Sequence, residues 1–111
     1  EAGTTVDNEP PMSRVAGLPR ITREPSFGLA WSGHDHGFGI RYYDVRYRVD
    51  GGGWIPWQQR SLATRAVFTA LVDGLYEFEV RAVDELGLAE PFTGQPEAAT
   101  IVDARVPFSE P

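Results

Sequence analysis

Apolar and polar residues alternate in steps of two along most of this chain, and a step of two is the repeat of a β-strand with one buried face. Phe27, Leu29 and Trp31 fall on one side of such a strand, Tyr43, Val45, Tyr47 and Val49 on one side of another, and Tyr76, Phe78, Val80 and Ala82 on one side of a third. Asp44, Arg46 and Arg48 fill the gaps in the second run, and Glu77, Glu79 and Arg81 those in the third. These polar rows predict faces turned to water. No stretch offers a helical stripe of comparable regularity. Glycine and proline punctuate the runs at Gly33 to Gly39, Gly51 to Gly53, Asp73-Gly74, Gly87, and Gly94 to Pro96. The pattern predicts strands over 14–22, 26–32, 41–50, 54–60, 64–70, 75–83 and 96–102. Short antiparallel strands at that spacing predict a β-sandwich or a barrel.

A chain of 111 residues has room for one such domain, with a core large enough to stand without a metal or a crosslink. It has no cysteine, which excludes disulfides, thiolate-bound zinc and a thiol nucleophile. The net charge of −6 argues against a nucleic-acid partner, because affinity for phosphate backbones comes from basic side chains that displace counterions. No apolar run approaches the ~18 residues needed to cross a bilayer as a helix, so direct membrane insertion is not expected.

The two ends of the chain echo one another. Glu1 to Ser13 aligns without gaps to Glu97 to Ser109, with identity at seven of thirteen positions: Glu1, Ala2, Thr4, Val6, Asp7, Pro11 and Ser13. The offset of 96 residues is the length of one sandwich domain, and similarity at a fixed period marks repeat arrays. The expected organisation has residues 1–10 as the end of a preceding repeat and its linker, 11–103 as the domain, and 104–111 as the linker onward. In this reading Glu1 to Asp7 is a neighbour's last strand, and the chain is an excised or processed piece. Proline stiffens the linkers toward extended conformations.

The residues also resemble fibronectin type III modules, in particular a bacterial version found in large exported proteins. Trp31 with Ser32-Gly33 and Asp35 looks like the second strand and its exit. Tyr43-Asp44-Val45-Arg46-Tyr47 looks like the third strand, Gly52-Gly53-Trp54 with Trp57 like the hairpin after it, and Phe68, Gly74, Tyr76, Phe78, Val80, Arg81, Ala82 and Asp84 like the fifth and sixth strands. After Asp84 the bacterial version commonly has Gly-Asn, where this chain has Gly87-Leu88. The resemblance implies an all-β, seven-stranded antiparallel Greek-key sandwich of the immunoglobulin-like kind, with a structural core of Trp31, Tyr43, Val45, Tyr47, Phe68, Tyr76, Phe78 and Val80. Tyr76 follows Asp73-Gly74, where a tyrosine can bury its ring and bond the preceding turn through its hydroxyl.

Three constellations bear on chemistry. His34-Asp35-His36 has metal-ligand types near the loop holding Asp84, but adjacent side chains diverge and the aspartate suits its own turn; no metal site and no cofactor are expected. Ser13, Ser32 and Ser61 lie in no nucleophile elbow, and the two histidines share one loop, so no catalysis is expected. Glu77 and Glu79 are expected to meet Arg46 and Arg48 across neighbouring strands. Trp54 and Trp57, with Tyr42, offer a platform on which sugar rings could stack. The expected function is a non-enzymatic spacer or interaction module in a multidomain secreted or cell-surface protein, whose partners are neighbouring repeats. The alternative is a carbohydrate- or protein-binding module using loops 34–39 and 84–88 or the Trp54/Trp57 hairpin, with another protein or a surface polysaccharide as partner.

Overall fold

The computed structural model describes residues 10–35, 37 and 39–104, and among them the regular structure is all β, with no helix. Its strands are β1 (Met12–Val15), β2 (Ile21–Thr22), β3 (Ser26–His34), β4 (Ile40–Val49), β5 (Ile55–Ser61), β6 (Arg65–Thr69), β7 (Gly74–Asp84) and β8 (Ala98–Val102). A three-stranded sheet has the order β1-β3-β6 and a five-stranded sheet the order β2-β8-β7-β4-β5. Their apolar rows meet in a sandwich-like arrangement. Leu29, Trp31 and Phe68 from the smaller sheet share one core with Tyr43, Val45, Tyr76, Phe78, Val80 and Ala82 from the larger, while Phe27 and Tyr47 pack against it partly buried.

Aromatic rings organise that core. Phe68 stands at its middle, with ring centroids 4.8 Å from Tyr47, 4.9 Å from Phe78, 5.3 Å from Trp57 and 5.5 Å from Tyr76. The tilted and edge-on angles of these pairs suit the quadrupoles of the rings. The polar atoms of the large rings find partners at the rim: Trp31 Nε1 donates to the Ala63 carbonyl at 3.0 Å, and the Tyr76 hydroxyl donates to the Val72 carbonyl at 2.7 Å.

The stretch expected as one strand over 14–22 is two strands in different sheets. β1 pairs antiparallel with β3, whereas β2 pairs parallel with β8, so seven uniformly antiparallel strands are not what the chain forms. The chain changes sheet at Gly17-Leu18-Pro19, where proline has no N–H to give to a ladder. Alternation reports which face a residue turns to the core and carries no information about which sheet receives it.

β1 is held on its second side by side chains. The Ser13 and Val15 amides donate to carboxylates of Glu90 and Glu97, the latter at 2.9 Å, and the Ser13 hydroxyl also donates to Glu90. Glu90 reaches back to β7 by accepting the Ala82 amide at 3.1 Å. Acidic side chains thus occupy an edge that would otherwise present bare donors. Desolvation there, with the charges of Glu90 and Glu79 nearby, pushes Glu97 up to about 7. The β4–β5 turn also does more than reverse the chain. Asp50 and Gly51 take positive φ of 52° and 73°, as a two-residue hairpin turn requires, and the Asp50 carboxylate accepts the Leu75 amide at 2.8 Å at the start of β7.

Candidate functional site

Among the described residues the ion pairs gather on the outer face of the five-stranded sheet. On β4, Tyr42, Asp44, Arg46 and Arg48 turn away from the core because Tyr43, Val45, Tyr47 and Val49 turn toward it. The antiparallel register sets Asp44 opposite Arg81, Arg46 opposite Glu79 and Arg48 opposite Glu77 on β7. Each pair closes: Arg46 to Glu79 at 2.7 Å, Arg48 to Glu77 at 2.7 Å, and Arg81 to Asp44 at 2.9 Å.

One member of this face is not solvated. Glu79 is 1% exposed, and its four acceptor contacts are all filled: Oε1 receives Arg46 Nε and Nη2, and Oε2 receives the Thr93 amide at 2.7 Å and hydroxyl at 3.0 Å. The cover comes from aromatic rings. The Arg46 guanidinium lies 4.5 Å from the Trp54 ring and 3.9 Å from the Phe92 ring; Arg48 lies 4.6 Å from Trp54 and Arg81 lies 5.0 Å from Phe92. Cation–π attraction favours these placements, so the row expected to be wet is partly roofed.

Beside the roof the sheet is irregular. The β4–β5 register shifts between Tyr43 and Val45 and again between Val45 and Arg46, leaving extra residues on β5. Arg60 there adopts φ of 52°, a left-handed conformation that side chains other than glycine disfavour. Asp44 holds it: Oδ1 accepts the Arg60 amide at 2.9 Å while Oδ2 serves Arg81. The Arg60 guanidinium sits 5.6 Å from the Tyr42 ring. Tyr42, Arg46, Trp54, Arg60, Arg81 and Phe92 border a cleft of about 560 Å³, within the range of small-ligand sites.

The residues singled out from sequence take different places here. Trp54 lies on the outer face with the arginines, whereas Trp57 turns inward, 6.1 Å from Trp31 and 5.3 Å from Phe68. The two tryptophans therefore form no shared platform. Their spacing of three is odd, and an odd step along a strand sends side chains to opposite faces. The loops at 34–39 and 84–88 do meet, through the Glu85 amide donating to the Gly39 carbonyl at 3.1 Å. Their acids serve their own turns. Asp35 Oδ2 accepts the Gly37 and Gly39 amides at 3.3 and 3.2 Å, and Asp84 Oδ1 accepts those of Leu86 and Leu88, both at 2.9 Å. Asp84 is fully buried and its Oδ2 has no hydrogen-bond partner. His34 is exposed at the end of β3, and His36 lies outside the described residues. Among the described residues no group of three or more His, Cys, Asp or Glu gathers as for a metal.

Sequence reasoning missed Phe92, Arg60 and the burial of Glu79. Phe92 is a lone aromatic in a segment without alternation, and nothing in local composition announces a left-handed arginine. The signal for Glu79 was present in its pairing with Arg46, which charge alone describes as a surface contact. No protein-family model matches the chain, and no curated protein matches it.

Proposed function

We propose that this chain is a fibronectin type III-like module that serves as a spacer in a tandem array of a bacterial secreted or cell-surface protein, without catalytic activity. The single observation that carries the reading is the strand order, β1-β3-β6 against β2-β8-β7-β4-β5, in which the first stretch of chain contributes to both sheets. The Tyr76 hydroxyl bonded to the turn before its strand supports it as a tyrosine corner. The repeat at an offset of 96 residues supports the array, although its outer portions, Glu1 to Asp7 and Arg105 to Ser109, lie outside the described residues. The test is a head-to-tail chain of two units joined by the native Asp103 to Ser109 linker. Small-angle scattering is expected to show the long dimension growing by one domain length, with the thermal midpoint of a single unit retained. Two units folded side by side overturn the spacer reading.

A second reading is favoured by the cleft beside Trp54. A spacer needs only a solvated outer face, whereas here the outer face holds oriented arginines and rings around a concave site. The module reads equally as one that displays a binding surface, with the Trp54 side of the hairpin as its place.

A further inference from the structure

We propose that the cleft bordered by Tyr42, Arg46, Trp54, Arg60, Arg81 and Phe92 binds an acidic saccharide, with a uronate carboxylate received by Arg60. The proposal rests on the ligand-binding reading above and assigns its ligand class and its principal contact.

The cleft is locally cationic in an acidic protein. Three arginines and one aspartate line it, in a chain whose net charge is −6. Two of those arginines are already satisfied, Arg46 by Glu79 and Arg81 by Asp44. Arg60 differs: among the described residues its guanidinium forms no ion pair, and the group it lies beside is the Tyr42 ring. A planar guanidinium set beside an aromatic ring and open to solvent is suited to two parallel hydrogen bonds to a carboxylate.

The backbone beneath it points the same way. At φ of 52° glycine or asparagine would sit with less strain, and the bond from its amide to Asp44 needs no side chain at all. The arginine is thus held in a costly conformation that no ion pair of its guanidinium among the described residues explains. Asp44, Gln59 and Tyr42 add acceptors and donors for hydroxyl groups, and the exposed edges of Trp54 and Phe92 offer apolar surface for a ring. Closely spaced carboxylates, as in an acidic peptide, fit less well, because Asp44 in the cleft and the acidic remainder of the protein repel them.

The test uses the whole chain, labelled with nitrogen-15 and titrated with a hyaluronan tetrasaccharide, its carboxyl-reduced counterpart, and tetraglutamate at low salt. Amide shifts confined to Tyr42–Arg46, Trp54–Arg60, Arg81 and Phe92 are expected with the acidic saccharide. Arg60→Gly is expected to keep or raise the urea midpoint while binding weakens by about tenfold or more, the loss of one charge-assisted contact; Arg60→Asn, which also tolerates the left-handed backbone, should do the same. Unchanged binding by both variants overturns the proposal. Equal binding of the carboxyl-reduced sugar at the same amides overturns the acidic preference while leaving the ligand-binding reading standing. Tighter binding of tetraglutamate reassigns the cleft to acidic peptides and overturns the saccharide assignment. No shift with any of the three at millimolar concentration overturns the proposal and the ligand-binding reading together.

Discussion

Replacing Glu79 by glutamine changes one oxygen to an amide nitrogen and removes one charge. Its carboxylate accepts four hydrogen bonds, two from Arg46 and two from Thr93, at a site 1% exposed. A glutamine has one acceptor oxygen, so either Arg46 or the Thr93 amide is left facing a donor. Charge-assisted bonds contribute about 1.5–3 kcal/mol each, and breaking a buried ion pair by removing one partner costs about 3–5 kcal/mol. Arg46 is 22% exposed and keeps its two rings, which softens the loss, so Glu79→Gln is expected to cost about 2–4 kcal/mol. That is a large share of the ~5–15 kcal/mol that holds a domain folded. With an m-value of ~1–3 kcal/mol per molar urea, the midpoint should fall by about 1 M or more at unchanged m. The double variant Arg46→Met with Glu79→Leu removes both charges but also takes the acceptor from the Thr93 amide and hydroxyl, so it should recover only part of the loss. A midpoint for Glu79→Gln that coincides with the parent would refute the claim that this pair is buried and structurally committed.

Other perturbations test separate regions of the fold. Tyr76→Phe keeps the ring and loses the 2.7 Å bond to Val72, so a cost of about 1 kcal/mol is expected in urea unfolding; no change would remove the hydroxyl from the account of stability. Gly33→Ala would place a Cβ 2.8 Å from the Met12 carbonyl and 3.0 Å from Tyr43, and overpacking of this kind costs about 1–3 kcal/mol. Faster hydrogen exchange at the Ser13 and Val15 amides should accompany it, and unchanged exchange would contradict the close approach of β1. Glu97 has its folded value raised from 4.5 to about 7, so the folded state holds the proton more tightly than the unfolded chain. Its contribution is complete below the ordinary carboxyl value and is lost as pH rises through about 7. Glu97 is desolvated only in part, the residue as a whole staying exposed, so solvent screening keeps the effect small. The urea midpoint should fall modestly from about pH 5 to about pH 8, and Glu97→Gln, which retains an acceptor for Val15, should flatten that fall. A fall of equal size in the variant would place its origin elsewhere.

Strand existence and the inward rows were legible because Tyr43 to Val49 and Tyr76 to Ala82 alternate cleanly, and hydrophobic burial selects one face of such a strand. The change of sheet between β1 and β2 was not, since Gly17 and Pro19 mark a break without saying where the chain goes next. At the site, a meeting of Glu77 and Glu79 with Arg46 and Arg48 followed from opposite charges on neighbouring strands, but which pairs with which is set by the register, and the roof of Trp54 and Phe92 depends on two segments brought together only by the folded sheet. Trp54 and Trp57 were separable in principle from their odd spacing. Arg60 was not, because its conformation follows from a register shift that composition does not encode.

The change of sheet between β1 and β2 bears on how the domain would carry tension. β2 runs parallel to β8, so a pull on the chain before β1 and after β8 drags the two strands past each other along their length. Bonds such as Ile101 to Arg20 and Asp103 to Thr22, each 2.9 Å, are then strained together and must break together instead of in succession. Ahead of them, β1 must slide off β3 and out of the grip of Glu90 and Glu97. The leading segment therefore works as a lap joint stitched to both sheets, and the lifetime of the domain under load is set by the barrier to shearing that joint.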